Sequence, residues 1–293
     1  MDLCIAGLPV CIESADKAWF ARRFADYVRQ DDRPPAMELS FRVVDALTPP
    51  QGETVEQVKA VTVLRLADGR LCRFSRDREG RVPFVVYYSP DYAQVDIQLL
   101  SEAQHPLCSH RELEYVQTGL AFQNRLAVLG GGVLHSSSLA WRGNGVAFSA
   151  NPGTGKSTHV GLWKQYLGDE VTIINDDKPA IRFEGDTPLL CGTPWSGKTA
   201  LNCNRQVPLR AVVFIERGEK NSLRRLNTLD GYCRLAEQIA RPFYDAGLGV
   251  KVIDFTERLL AAVPVYALTC DISRQAVETA VTGLFPGEEF MLG

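Results

Sequence analysis

Along the first hundred positions, apolar and polar residues alternate in short runs separated by turn signals. MELSFRVV (37–44), VTVLRLAD (61–68), RLCRFSR (70–76), VPFVVYY (82–88) and AQVDIQLL (93–100) carry β-branched and aromatic residues, several with a period of two, and predict strands. DDRPP, TPPQGE, ADGR and RDREGR separate them with the Pro, Gly and Asp content of turns. Ahead of these runs, Ala15 to Gln30 places Trp19, Phe20, Phe24 and Val28 at helical spacing, which predicts one early helix. A second helix is expected from Glu112 to Leu129. The pattern then changes. GGVLHSSSLAWRGNGVAFSANPGTGKSTHVGLWKQYLG (131–168) reads strand, RGNG turn, strand, glycine loop, helix. Further strands are expected at VTIIND, KPAIRF, TPLLCG, RAVVFIE and PVYALTC, and further helices over 229–246 and 272–284. The order predicts a β-rich domain over residues 1–110 and an α/β domain of nucleotide-binding type over 111–293.

At 293 residues, 45% hydrophobic and 23% charged, the chain can build two cores. The net charge of -3 lacks the basic excess of a nucleic-acid-binding protein. Eight cysteines are scattered without a C-x-x-C pair, which points to reduced thiols. The absence of a signal-peptide pattern and of an 18-residue apolar span leads to the expectation of a cytoplasmic protein without a membrane partner. His105, Cys108 and His110 form an H-x-x-C-x-H cluster; with no fourth ligand nearby it reads as a polar loop rather than a zinc site.

The segment Ala150, Asn151, Pro152, Gly153, Thr154, Gly155, Lys156, Ser157 keeps every spacing of G-x-x-x-x-G-K-[ST] except the first glycine. Gly153 and Gly155 let backbone N–H groups turn inward around phosphate oxygens, and Lys156 supplies a point charge. Ser157 offers a hydroxyl to Mg²⁺, and the N-terminus of the following helix, with Thr158 in its first turn, favours negative charge. Ala150 asks only for a negative φ at that position. VTIIND ends in Asn175 and Asp176 and is followed by Asp177, which gives two adjacent carboxylates suited to divide metal binding from proton acceptance. His135 lies upstream on VLHSSSLA, whose hairpin partner feeds the loop. In GTPWSGK, Lys198 is placed to neutralise phosphate, while Trp195 reads equally as a stacking surface or as a core residue capping a turn. The basic run RGEKNSLRRL (217–226) reads as a solvated turn and helix face.

Taken in order, Leu134-His135, Ala150 to Ser157 and Asp176-Asp177 resemble the kinase domain of HPr kinase/phosphorylase and its relatives, which share a fold with phosphoenolpyruvate carboxykinase. The resemblance covers roughly residues 130 to 285. It implies an α/β (α+β) architecture: a P-loop-containing phosphoenolpyruvate carboxykinase-like/HPr kinase C-terminal domain behind a mainly β N-terminal domain. It also implies ATP and Mg²⁺ as cofactors, with Lys156 on phosphate, Ser157 and Asp176 at the metal, Asp177 as proton acceptor and His135 as the active-site histidine. Family members carry a Glu and an I-R-G-L-G signature after the Asp pair, whereas this chain has LLCGTPWSGKTALN with Cys191 near the expected Glu. GTPWSGK is similar to divergent HPr-kinase-like proteins, among them lasso-peptide kinases that phosphorylate serine. The implied activity is phosphoryl transfer to a hydroxyl, with a peptide or small-protein acceptor. Action on a small molecule such as free serine, carboxykinase-like transfer, and non-catalytic nucleotide binding stand as alternatives. Family members form hexamers, so the resemblance allows a homo-oligomer.

Overall fold

The chain opens with a hairpin of strands Asp2–Ile5 (β1) and Leu8–Glu13 (β2), where one side chain in two turns inward. The computed structural model describes residues 1–48, 50–77, 79–101, 109–197 and 199–291. It divides into two units, Met1–Leu129 with Arg241–Lys251, and Gly130–Ala240 with Val252–Gly293. The first division falls at Leu129 rather than at 110 because the second helix groups with the β-rich part.

In unit 1, helix Lys17–Arg23 (α1) starts at Asp16, whose carboxylate accepts from the Trp19 N–H at 3.2 Å. The helix expected over Ala15 to Gln30 is shorter than its periodicity suggests. The chain leaves helical geometry at Phe24, passes through a 3-10 turn at Ala25–Tyr27, and leaves Val28 53% exposed. The strands Met37–Val44 (β3), Glu53–Val58 (β4), Val61–Arg65 (β5), Leu71–Ser75 (β6), Phe84–Tyr88 (β7) and Gln94–Leu100 (β8) complete an eight-stranded sheet in the order β1-β2-β3-β8-β7-β6-β5-β4. Strand β4, ETVEQV, exposes most of its side chains, so it carries no hydrophobic signal to betray it. Helix His110–Val128 (α2) packs on β3 and starts at a capping box between Ser109 and Glu112. His105 and Cys108 lie outside the described residues, and His110 is the first residue of α2.

Unit 2 holds Gly132–Val133 (β9), Ser136–Trp141 (β10), Asn144–Ser149 (β11), Lys156–Leu167 (α3), Val171–Asn175 (β12), Ala180–Glu184 (β13), Thr187–Cys191 (β14), Gln206–Arg217 (β15), Ser222–Arg225 (β16) and Thr228–Gln238 (α4). Ala246–Ala262 (α5), Val265–Cys270 (β17) and Arg274–Leu284 (α6) follow. The boundary between the units falls within α5. The helix expected over 229–246 stops at Gln238, ahead of Arg241-Pro242, and a further helix, α5, begins at Ala246, where the expected one was to end. RGEKNSLRRL is a turn and the strand β16, not a helix face: β16 pairs with β17.

The order β12-β10-β11-β15-β14-β13-β9, with β17 beside β15 and β16 beside β17, makes a nine-stranded mixed sheet. β11, β15 and β17 run parallel, so their C-terminal ends share one edge. Helices α3 and α6 cover it with Val160, Trp163, Val277 and Val281 against Leu139, Phe148 and Val213, all 0 or 1% exposed. This apolar layer fixes the sheet edge where the glycine loop emerges. No helix among the described residues is long and apolar enough to cross a membrane.

Candidate active site

Strand β11 delivers the chain into Ala150, and α3 starts at Lys156. Ala150 packs in the core at 5% exposed and is not among the positive-φ residues, so a methyl group is accommodated where the motif has glycine. Gly153 and Gly155 have φ of 77° and 120°, a region that side chains strain, and these two positions require glycine. Asn151, Pro152, Ser157 and Thr158 are exposed around the loop. Helices α2, α4 and α6 are capped by Ser109, Asn227 and Ser273, whereas α3 has Gly155 at its N-cap and no side-chain cap. Its first-turn N–H groups are left for an exogenous acceptor.

Lys156 is 9% exposed, and its ammonium donates to the Ala150 carbonyl at 3.0 Å. Burial pulls its pKa below the ordinary lysine range, and the carboxylates of Asp177 and Asp176 offset part of that effect. A desolvated cation held over an uncapped helix N-terminus is an anion site by electrostatics alone. One residue that the motif does not contain supports the loop. Arg217, at the end of β15, donates from Nε to the Thr154 carbonyl at 3.2 Å and from Nη2 to the Gly153 carbonyl. It ties the loop carbonyls down on one side. Its only sequence signal was a positive charge in a basic run.

The Asp pair follows β12, which is separated from β11 by β10. Asp176 is 9% exposed and accepts from Ser137 Oγ at 2.7 Å and from Thr199 Oγ1 at 3.0 Å. Asp177 lies with one carboxylate oxygen 3.3 Å from His135 Nε2 and the other 3.9 Å from Lys178 Nζ. His135 is not within a strand as expected. It occupies a bend between β9 and β10, where the chain passes from pairing with β13 to pairing with β11 and β12. Its carbonyl accepts from Ser149 Oγ at 2.8 Å, which ties the bend to the strand feeding the loop. Burial, then the Lys156 charge, holds the His135 pKa below the ordinary histidine value, with Asp177 acting against them.

Asn175 organises the turn. It is fully buried; its Nδ2 donates to Thr193 O at 2.8 Å and Thr193 Oγ1 at 3.1 Å, and its Oδ1 accepts from the N–H groups of Asp177 and Lys178 at 2.8 and 2.6 Å. GTPWSGK is thereby fastened to the Asp pair. Gly197 sits at φ 66°, and a Cβ there would stand 3.1 Å from Asp177 Cβ. Trp195 is 4% exposed, which places it among the core residues rather than as a stacking surface. Lys198 lies outside the described residues. Cys191 is fully buried in β14, its thiol pushed up to about 12 by burial, and it takes no part in the site. Among the described residues no group of three or more His, Cys, Asp and Glu side chains lies together to hold a metal. Near the loop, Ser157 offers a hydroxyl, and Asp176 and Asp177 offer carboxylates that act on the Lys156 charge; each Asp176 oxygen keeps a lone pair beyond its hydroxyl partner. That set suits Mg²⁺, which binds through one or two protein oxygens plus phosphate and water.

No family model matches the chain, and no curated protein matches it. It is similar to the structure of the Hpr(Ser) kinase/phosphatase from Coxiella burnetii, with 12% identity over 52% of this chain and 88% of that one, at a TM-score of 0.31. At that score the overlap transfers neither fold nor chemistry, and the site stands on its own geometry.

Proposed function

We propose that the protein is an ATP- and Mg²⁺-dependent phosphotransferase that moves a phosphoryl group to a hydroxyl, with a serine of a peptide or small protein as acceptor. The observation that carries the reading is the desolvated Lys156 ammonium over an uncapped helix N-terminus, electrostatically coupled to the Asp176–Asp177 turn. In this reading the glycine loop and Lys156 hold the triphosphate of ATP. Ser157 and Asp176 hold Mg²⁺, which when bound draws charge off the phosphate oxygens. Asp177 accepts the proton of the attacking hydroxyl, and His135, 3.3 Å from one of its oxygens, orients that carboxylate. Positioning and charge neutralisation supply most of the acceleration, because phosphoryl transfer passes through a loose transition state. The order of signals along the chain is that of an HPr kinase C-terminal domain of phosphoenolpyruvate carboxykinase-like fold, working in the cytoplasm.

The test is incubation with Mg·ATP and three acceptors: HPr, serine-bearing peptides, and free serine, read by mass spectrometry for one added phosphate. A peptide or protein product is expected, abolished by Lys156→Ala and by Asp177→Ala, with nucleotide binding lost only in the first. Product on free serine alone would replace the peptide acceptor with a small molecule. Full activity in Asp177→Ala would remove it as the base, and tight nucleotide binding without any transfer would leave a binding module.

A further inference from the structure

Strand β3 divides its side chains between the two faces of the unit 1 sheet. Met37, Leu39 and Phe41 are at most 3% exposed. The register from Phe41 through Ile97 and Val86 leads to Arg73, which donates to Gln117 of α2 at 3.0 Å, so α2 covers that face. Glu38, Ser40 and Arg42 belong to the other face. There the register sets Glu13, Ser40, Asp96 and Tyr87 in one row across β2, β3, β8 and β7, and Cys11, Glu38 and Gln94 in the next. The two rows floor a cavity of about 350 Å³, with Arg70 beside Tyr87 on its wall. Across four strands the first row spans about 14 Å. The volume falls within the range of ligand sites.

Most charges on this face are already paired. Asp96 accepts from Arg42 at 3.1 and 2.6 Å, from Ser40 Oγ at 2.5 Å and from Gln98 Nε2 at 2.7 Å. Arg70 is paired with the Asp68 carboxylate at 2.7 Å, and its guanidinium carbon lies 5.8 Å from the centre of the Tyr87 ring. At the Cys11 end, the amino-terminal ammonium and Asp2 act on the thiol with opposite sign. Glu13 and Glu38 are left. Both are exposed, on adjacent strands, and neither carboxylate has a hydrogen bond or ion pair among the described residues. The Gln94 side-chain amide is equally uncommitted. The cavity therefore keeps an excess of negative charge beside an aromatic ring on which one guanidinium already rests. A phosphate, a nucleic acid or an acidic peptide would be repelled, and a hydrocarbon would strand two carboxylates. An arginine side chain matches, because its donors pair with carboxylates and its plane stacks on tyrosine. The Gln94 amide can donate to and accept from a peptide backbone crossing the rows.

We infer that this face of unit 1 docks a basic segment of the peptide acceptor, with an arginine held by Glu13 and Glu38 against Tyr87 and the adjoining backbone on Gln94; the inference rests on the reading of the acceptor as a peptide. It assigns acceptor choice to a surface that carries none of the phosphate-loop or Asp-turn residues.

The test uses two labelled synthetic peptides, each with one serine, flanked by two arginines in the first and by two glutamines in the second. Fluorescence anisotropy reads their binding to the full chain without nucleotide. The arginine peptide is expected to bind wild type at least about tenfold tighter, about 1.4 kcal/mol, the sum of two exposed ion pairs. The double variant Glu13→Gln, Glu38→Gln should lose that preference and raise KM for the arginine peptide by a similar factor, while Mg·ATP affinity, read by calorimetry, stays within twofold and reports an intact fold. Equal binding of the two peptides to wild type, or an unchanged preference in the double variant, overturns the docking inference; serine transfer that still depends on Asp177 would leave the phosphotransferase reading standing. Spermidine binding as tightly as the arginine peptide and displacing it would overturn the peptide in favour of a small polyamine. Selective binding without transfer to any peptide would overturn the acceptor reading, and the substrate role assigned here with it.

Discussion

Replacing Asn175 with alanine tests whether the Asp turn owes its shape to one buried amide. The side chain is 0% exposed and bonds to Thr193 O, Thr193 Oγ1 and the N–H groups of Asp177 and Lys178. Alanine leaves three backbone groups without these partners. The Thr193 carbonyl, on a residue 1% exposed, cannot reach water and costs about 1–3 kcal/mol. The two N–H groups lie in a partly buried turn where water can enter the vacated space, so each loses nearer to the net value of a hydrogen bond, about 1 kcal/mol. The sum is about 3–5 kcal/mol, which for a chain of this size lowers the melting temperature by about 6–15 °C. Urea unfolding followed by tryptophan fluorescence reads the first quantity and a thermal scan the second. In the transfer assay kcat should fall by at least about tenfold, because a carboxylate displaced by an ångström misplaces the proton acceptor. KM for nucleotide should stay within about twofold, since the bonds of Asn175 run to the Asp turn and to Thr193, and the loop's own scaffold is intact. A loss below 1 kcal/mol with unchanged kcat would refute the reasoning. The turn would then be held by its backbone bonds, Asp176 N–H to Leu201 O at 3.1 Å and Cys203 N–H to Ile174 O at 3.1 Å.

Two glycines separate loop geometry from helix propensity. Gly155→Ala forces a side chain onto φ 120° and should cost about 1–3 kcal/mol and most nucleotide affinity, whereas Gly161→Ala, in open space on α3, should add about 0.5–1 kcal/mol of stability without changing binding. Equal effects in urea titrations and nucleotide calorimetry would show that φ at Gly155 is not what the loop needs. His159 gives a pH signature. Its folded pKa of about 4 lies below the unfolded value near 6.5, so the unfolded chain binds the extra proton between them. Its contribution is complete above pH 6.5 and is lost as pH falls toward 4, amounting to about 3 kcal/mol over the window. His159→Leu should lose that part of the slope, so the stability gap between wild type and variant narrows on acidification; parallel curves would mean the ring is not buried neutral.

What could be read from the chain alone follows from how far apart the interacting residues are. The glycine loop is local: its strand, its two positive-φ positions and its lysine lie within a dozen residues, and each constrains the next. The Asp pair is local too, because a run of β-branched residues ends on it. Its partners are not. Asn175 looks like the last residue of a strand, and only the fold reveals that its amide spans to Thr193. Ser136, Ser137 and Ser138 carry no apolar signal, yet all three are fully buried because β10 lies between β11 and β12, and Ser137 finds Asp176 there. Arg217 reads as one charge in a basic run until the parallel register of β11 and β15 sets Ser149 beside Phe214 and brings the end of β15 level with the loop. The missed segments obey the same logic. α5 contains Gly247 and Gly249 near its start, which lower helix propensity, and packing of Leu248, Val252, Phe255 and Leu259 overrides it. His135 leaves its strand because two neighbours claim the chain on either side of it. The residues visible in the sequence are those that would touch phosphate, metal and proton. Those that hold them in place, Asn175, Ser137, Thr199 and Arg217, act across the sheet, and their substitution is therefore the sharper test of whether this arrangement works as a single site.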